Sequence, residues 1–268
     1  MKSIILTLIV IEYNCIEDIR KSVDNLHSVC EDISHEIIIS SNSLYPLDVQ
    51  TKLKDEFLGC IWFFNKNNLG FAGGMNIGIA NAKGEIIIIV NPDVKIFPEN
   101  FKKALEFLRV HPKVGLLGPK IIDSAGNQQD TCRKFMRPVD LLYRLSKRLC
   151  LKKDVLLENG FDYNNTQTVD WVIGAFMMVR RDGLDVVGGL DDGYFLYVED
   201  MDWCKRFWDK GYEVVYYPEL VVEYKGDRKS VSPLVSGQFS YRYGYFHLKS
   251  YFRFLKKHGI NPTRYGLR

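Results

Sequence analysis

The chain has 268 residues, is 46% hydrophobic and carries a net charge of +3. That length and apolar content suit one large domain with a full core, or one domain plus a small appendage. The charge is too mild to imply nucleic acid, and six cysteines with no C-x-x-C pair argue against a disulfide framework or zinc site and for free thiols in a reducing compartment.

The opening "MKSIILTLIVIEYN" reads as a first core strand, not a signal peptide. It has no small-residue cleavage site, and Glu12 and Asn14 follow its apolar run at once. No apolar stretch approaches the ~20 residues that span a bilayer, so a cytoplasmic protein is expected.

Strand-like runs then recur at 4–11, 36–40, 60–64 and 86–90, with helical spacing near 17–30, 48–57 and 74–82. A further helix is expected at 98–110, opened by Pro98 and Glu99. This alternation predicts an α/β domain with a mainly parallel sheet, in which ligands bind beyond the carboxyl ends of the strands. The second half differs. Residues 132–158 are irregular and basic. A strand is expected over 169–180, a helix over 199–210 closed by Gly211, a short strand "YEVVYYP" stopped by Pro218, and a helical tail over 239–257.

Three stretches carry chemistry. "NNLGFAGGMNIGIANAKGE" (67–85) places Gly70, Gly73 and Gly74 ahead of a helix. Glycines permit close backbone approach, and a helix N-terminus favours anions. The stretch matches neither G-x-G-x-x-G nor the G-K-[ST] of a P-loop, which disfavours a dinucleotide dehydrogenase or a P-loop NTPase. "EIIIIVNPDV" (85–94) ends a buried strand in Asn91-Pro92-Asp93. These are ordinary turn formers, but a carboxylate at a strand tip can also hold a divalent cation that bridges a diphosphate. "GGLDDGYFLYVEDMDWCKR" (188–206) crowds Glu199, Asp200 and Asp202 at a helix start. Acids there complement the helix dipole; Asp200 is also placed to take a proton from an attacking hydroxyl.

In this order "VIEYN" (10–14), "NLGFAGGMN" (68–76), "NPDV" (91–94) and "DWVIGAFMMVRR…GGLDDGYFLYVEDMDWCKR" (170–206) resemble the family 2 glycosyltransferases, particularly their bacterial rhamnosyltransferase-like branch. The resemblance implies a GT-A fold, a nucleotide-sugar donor, a divalent metal (Mg2+ or Mn2+) and inversion at the anomeric carbon. It implies a GT-A domain over 1–230, with a nucleotide-binding half to about 97 and an acceptor-binding half beyond, then a helical extension over 231–268. Residue by residue, Ile11, Glu12 and Tyr13 would meet the nucleotide base. Asn68, Gly70, Phe71 and Asn76 match the loop over the donor. Asn91 and Asp93 occupy the D-x-D position, with Asp93 the metal ligand. Gly174 and Ala175 shape the sugar pocket, Asp200 is the catalytic base and Glu199 its neighbour.

Two departures stand out. Where the family has an Asp after its second strand, this chain has Ser41 followed by Asn42, both expected at the nucleotide. Where a His often assists the metal after the last strand, it has Tyr224, with His247 a possible substitute from the tail. These departures keep open a second reading, a nucleotide-sugar-binding partner subunit without catalysis. The basic, leucine-striped stretch 133–153 and the aromatic, basic tail 241–259 fit an enzyme resting on anionic lipid at the inner face of the cytoplasmic membrane; the first reads as well as a solvated face over a core stripe, and the aromatics of the second as packing on the catalytic domain. The expected acceptor is a glycan or lipid-linked glycan, and nucleic acid is not an expected partner. dTDP-L-rhamnose is the first choice of donor because the "NPDV" branch often uses it, with UDP-hexoses open.

Overall fold

The computed structural model describes residues 5–140, 161–225 and 241–264. Its first half is a regular β/α alternation: β1 (Leu6–Glu12), α1 (Ile16–Val29), β2 (His35–Ser41), α2 (Leu47–Glu56), β3 (Cys60–Phe64), α3 (Gly70–Asn81) and β4 (Ile86–Val90). β1 pairs in parallel with β2 and β4, and β2 with β3. These strands are nearly continuous apolar runs because both faces are covered. Alternate side chains feed two cores: Leu8, Ile37, Ile39 and Ile88 pack on one side with Ile19 and Leu26 of α1, and Ile9, Ile38, Ile87 and Ile89 on the other with Ala72 and Met75 of α3.

The second half adds β5 (Val94–Ile96), α4 (Phe101–Val110), β6 (Val114–Ile122), β7 (Cys132–Arg133), β8 (Gln167–Thr168), β9 (Trp171–Val172), β10 (Phe176–Arg180), α5 (Arg181–Val187), α6 (Glu199–Asp209), β11 (Glu213–Tyr224) and α7 (Tyr241–His258). The main sheet runs β3-β2-β1-β4-β10-β6-β11-β5, with β8 also on β11, while β7 and β9 form a separate ribbon. β10 is antiparallel to both β4 and β6, and β11 is parallel to β6. This mixed, mostly parallel sheet flanked by helices is the GT-A fold.

Three expectations are corrected. α3 starts at Gly70, so the three glycines lie inside the helix and not ahead of it. The strand expected over 169–180 is two: β9 pairs with β7, and β10 joins the main sheet. The break at Ile173-Gly174-Ala175 lets one chain serve two ladders. Pro218 does not stop β11. The register slips between Tyr217, opposite Pro119, and Val221, opposite Lys120, so Pro218 sits in a bulge where its missing N–H breaks no ladder. β5 and β6 were not read from the sequence at all. Of the basic stretch 133–153, residues 141–153 lie outside the described residues.

α7 shares the core of the catalytic half. Tyr251 and Phe254 are fully buried in the cluster that holds Trp203 and Phe207 of α6.

Candidate active site

The tips of β1, β2 and β4 open on the same edge of the sheet. At β1, Glu12 is fully buried. Its carboxylate accepts hydrogen bonds from Ser41 Oγ at 2.5 Å, Ser43 Oγ at 3.0 Å, Tyr45 Oη at 3.1 Å and the Cys15 N–H at 3.1 Å. Glu12 and Ser41 are ladder partners. The carboxylate absent after β2 is therefore supplied one strand over, and an Asp at 41 would bring two buried acids together. The Ser41 hydroxyl is spent on Glu12. Tyr13, 55% exposed, is the β1-tip side chain that faces outward.

Asn42 joins this edge to α3. Its amide donates to Gly70 O at 2.9 Å and its oxygen accepts from the Leu69 N–H at 3.3 Å. Asn68 Oδ1 accepts from the Gly70 N–H at 2.9 Å, an Asx turn that starts the helix. Gly70 has φ +73, and a Cβ there would lie 2.1 Å from Phe195 O; no other residue fits. Gly74 lets α3 approach β1, since a Cβ would meet Ile11 Cδ1 at 2.5 Å. Asn76 points elsewhere. It holds both backbone groups of Leu190, at 2.7 and 2.9 Å.

At the β4 tip, the Asn91 N–H donates to Ala175 O at 2.8 Å, and Asn91 O accepts the Val94 N–H at 3.1 Å, closing a turn around Pro92 and Asp93. Tyr224 is the ladder partner of Val94, one residue from Asp93, so the tyrosine occupies the ground where a histidine was expected. The His247 ring instead lies tilted against Tyr197, with centroids 5.5 Å apart. No cluster of three or more His, Cys, Asp or Glu suited to a metal occurs among the described residues. One strand-tip carboxylate with phosphate oxygens from a ligand is still a fitting donor set for Mg2+ or Mn2+, which keep waters and share phosphates.

The carboxylates of Glu199 and Asp200 sit across Ile173-Gly174-Ala175. Asp200 Oδ2 accepts the Gly174 N–H at 2.9 Å, and Oδ1 accepts the Met201 N–H at 2.8 Å. The ring of Phe71 approaches the same glycine, at 3.5 Å from a built Cβ. Burial pushes the Asp200 carboxyl above its ordinary value, opposed by those N–H groups and by the charge of Arg133. Glu199 is 6% exposed, and its Oε2 has no hydrogen-bond partner among the described residues. Burial and then the charge of Asp200 push Glu199 well above the usual range.

The turn before α6 is strained. Tyr197 and Val198 have φ +68 and +74, a region that costs a non-glycine residue ~1–3 kcal/mol. α7 braces it. Ser250 Oγ donates to Leu196 O at 3.0 Å, and Phe246 stacks on Phe195 at 4.8 Å. Lower on α6, Asp202 is fully buried and accepts from Arg206, Lys257 and His258, each at 2.8 Å. Burial pushes this carboxyl up, but His258, Arg206 and Lys257 outweigh it and hold the group well below the carboxylate range. Sequence reading missed Phe195, Ser250, His258 and Arg133. Their partners lie tens of residues away, and no spacing signals them.

The profile of the glycosyl transferase family 2 matches residues 7–188. The chain belongs to this family. It is a glycosyltransferase. It is 26% identical over 269 residues to the rhamnosyltransferase WbbL of Escherichia coli (strain K12), covering 96% of this chain and 95% of that one. It is 28% identical over 184 residues to an N-acetylglucosaminyl-diphospho-decaprenol L-rhamnosyltransferase of Mycobacterium tuberculosis, over 58% of this chain and 55% of the relative. Among solved structures, GalNAc-T7 with UDP, GalNAc and Mn2+ superposes with a TM-score of 0.63 at 14% identity, over 95% of this chain and 48% of that chain. The Pyrobaculum calidifontis mannosyltransferase PcManGT, with GDP-Man and Mn2+, gives 0.60 at 18%, over 97% and 66%. At these identities the two structures speak for the fold.

Proposed function

We propose that the protein is an inverting, metal-dependent glycosyltransferase that moves L-rhamnose from dTDP-L-rhamnose to a growing surface glycan or lipid-linked glycan at the inner face of the cytoplasmic membrane. One observation carries the reading. Consecutive residues of the β9–β10 link hold both halves of the site: the Gly174 N–H holds Asp200, and Ala175 O holds the Asn91 N–H beside Asp93. A sugar lodged there has the diphosphate-side carboxylate and the base fixed to one backbone segment. The rhamnosyltransferase relatives support the sugar and the acceptor class.

Asp93 would hold the cation together with the donor's diphosphate. When bound, such a cation neutralises charge that builds on the departing diphosphate. Tyr13 and the Asn42-tied edge receive the nucleotide. Phe71 and Gly174 bound the sugar pocket. Asp200 takes the proton of the acceptor hydroxyl as it attacks from the face opposite the diphosphate, and this direct displacement inverts the centre without a covalent enzyme intermediate. Glu199 lies buried beside Asp200, where burial and the charge of Asp200 favour its protonated form.

The test is transfer from dTDP-L-rhamnose and from UDP-hexoses, with and without chelator, with the anomeric configuration of the product read by NMR. Chelator-sensitive transfer with inversion is the expected result, and Asp93→Ala should reproduce the chelator's effect on donor affinity. A retained configuration overturns the mechanism. Donor binding with neither transfer nor hydrolysis would favour the inactive partner subunit.

A further inference from the structure

α7 has two faces with opposite duties. Its inner face, through Ser250, Tyr251 and Phe254, is buried against the catalytic half. Its outer face leaves Tyr245, Leu248 and Phe252 exposed at 60%, 48% and 63%. Spacings of three and four residues align these on one stripe. Lys249 and Lys256 are exposed on the same side, and Ile260, 72% exposed, extends the stripe past the helix end. Residues 241–264 contain no Asp or Glu. No helix among the described residues is long and apolar enough to cross a membrane.

We propose that this outer face of α7 docks on an anionic lipid bilayer, with Tyr245, Leu248 and Phe252 in the interface and Lys249 and Lys256 on the headgroups. A stripe of three apolar side chains with two lysines lacks the basic groove that tracks a nucleic-acid backbone, and Leu248 has no base to stack on. A two-fold contact with a second copy would set an acid-free basic stripe against its own image. A bilayer carrying acidic headgroups answers both the apolar stripe and its charge.

The docking has a mechanical consequence, which rests on the acceptor being lipid-linked. Ser250 on the inner face holds Leu196 O, four residues before Asp200. A helix lying on the bilayer therefore presents the catalytic turn to the plane in which a lipid-linked acceptor diffuses.

The experiment is sedimentation with phosphatidylcholine vesicles, with and without phosphatidylglycerol, using the full chain. Binding to the anionic vesicles alone, reversed by salt, is expected. Lys249→Gln with Lys256→Gln should weaken it about tenfold or more, because each base at an anionic surface contributes about fivefold. Tyr245→Ser, Leu248→Ser and Phe252→Ser together should abolish it. Both variants should keep wild-type donor affinity and wild-type turnover on a short water-soluble acceptor, while turnover on acceptor embedded in vesicles falls in parallel with binding. Wild-type protein indifferent to vesicles, or variants that bind as it does, would overturn the proposal. So would a dimer dissolved by the same substitutions in the absence of vesicle binding. Vesicle binding without transfer to any lipid-linked acceptor would instead overturn the acceptor assignment and leave the docking face supported.

Discussion

The two halves of the molecule each bury a carboxylate near the site, and they treat it in opposite ways. Glu12 in the first half is held by neutral donors, three hydroxyls and one backbone N–H. Asp202 in the second half is held by three cationic or titratable side chains, two of them from α7. The first half is locked locally, by a parallel ladder whose tips hydrogen-bond one another. The second is locked remotely, by a helix that arrives from the end of the chain. The turn at Tyr197 and Val198 is strained and is held from outside by α7, and Asp200 stands two residues after it.

The sharpest way to probe the second half is Asp200→Asn. It keeps the shape and, through its single amide oxygen, one of the two hydrogen bonds from Gly174 and Met201, but cannot accept a proton, so kcat should fall by ~10²–10⁴ while donor affinity stays. Wild-type turnover would remove Asp200 from the base role.

Asp202→Ala should come next. It removes the fully buried carboxylate that Arg206, Lys257 and His258 share, at a cost of ~3 kcal/mol in denaturant unfolding, the low end for a broken buried pair because Lys257 and Arg206 reach solvent. Because the brace reaches the catalytic turn, kcat should drop in the surviving folded protein while donor affinity holds. The contribution of Asp202 is present above the ordinary value of 3.8 and is lost only as pH falls through its depressed value.

Glu12→Ala should mirror this in the other half. Orphaned hydroxyls can turn to other partners, so about 2 kcal/mol is expected, and here donor affinity should weaken. If Glu12→Ala lowers only kcat, or Asp202→Ala lowers only donor affinity, the division between the halves is wrong.

The smallest effect is in the pH profile. Asp200 must be ionised to act, and its carboxyl is raised. The acid limb of kcat should therefore lie above 3.8, the ordinary aspartate value, when followed at saturating donor. The stability sign is the reverse of that for Asp202: raised carboxyls favour the protonated native state and weaken it as pH rises through the shifted range. A limb at the ordinary value would place Asp200 in water.

Strands β1 to β4 and helices α1 and α2 were legible from the sequence because each is decided by local pattern. Four-to-seven-residue aliphatic runs between amphipathic segments can form little else than buried parallel strands. Asn91, Asp93 and Asp200 stood out in the sequence as polar groups at a strand tip and at a helix start, whereas the roles given to them, and Gly174 altogether, came from the family resemblance. Tertiary structure alone decided the rest. Ser41 became a donor to Glu12 because the parallel register set them side by side. Asn76 was committed to Leu190, 114 positions away. The strand at 169–180 broke because its two ends had different ladder partners, and β11 ran through Pro218 because a bulge absorbed the missing donor. Whether the aromatic tail was core or surface was a question of faces. Periodicity could align Ser250 and Phe254 against Tyr245 and Phe252, but only the position of α6 and of the Leu196–Val198 turn determined which side would be buried, because burial is a property of what a helix packs against and not of the helix itself.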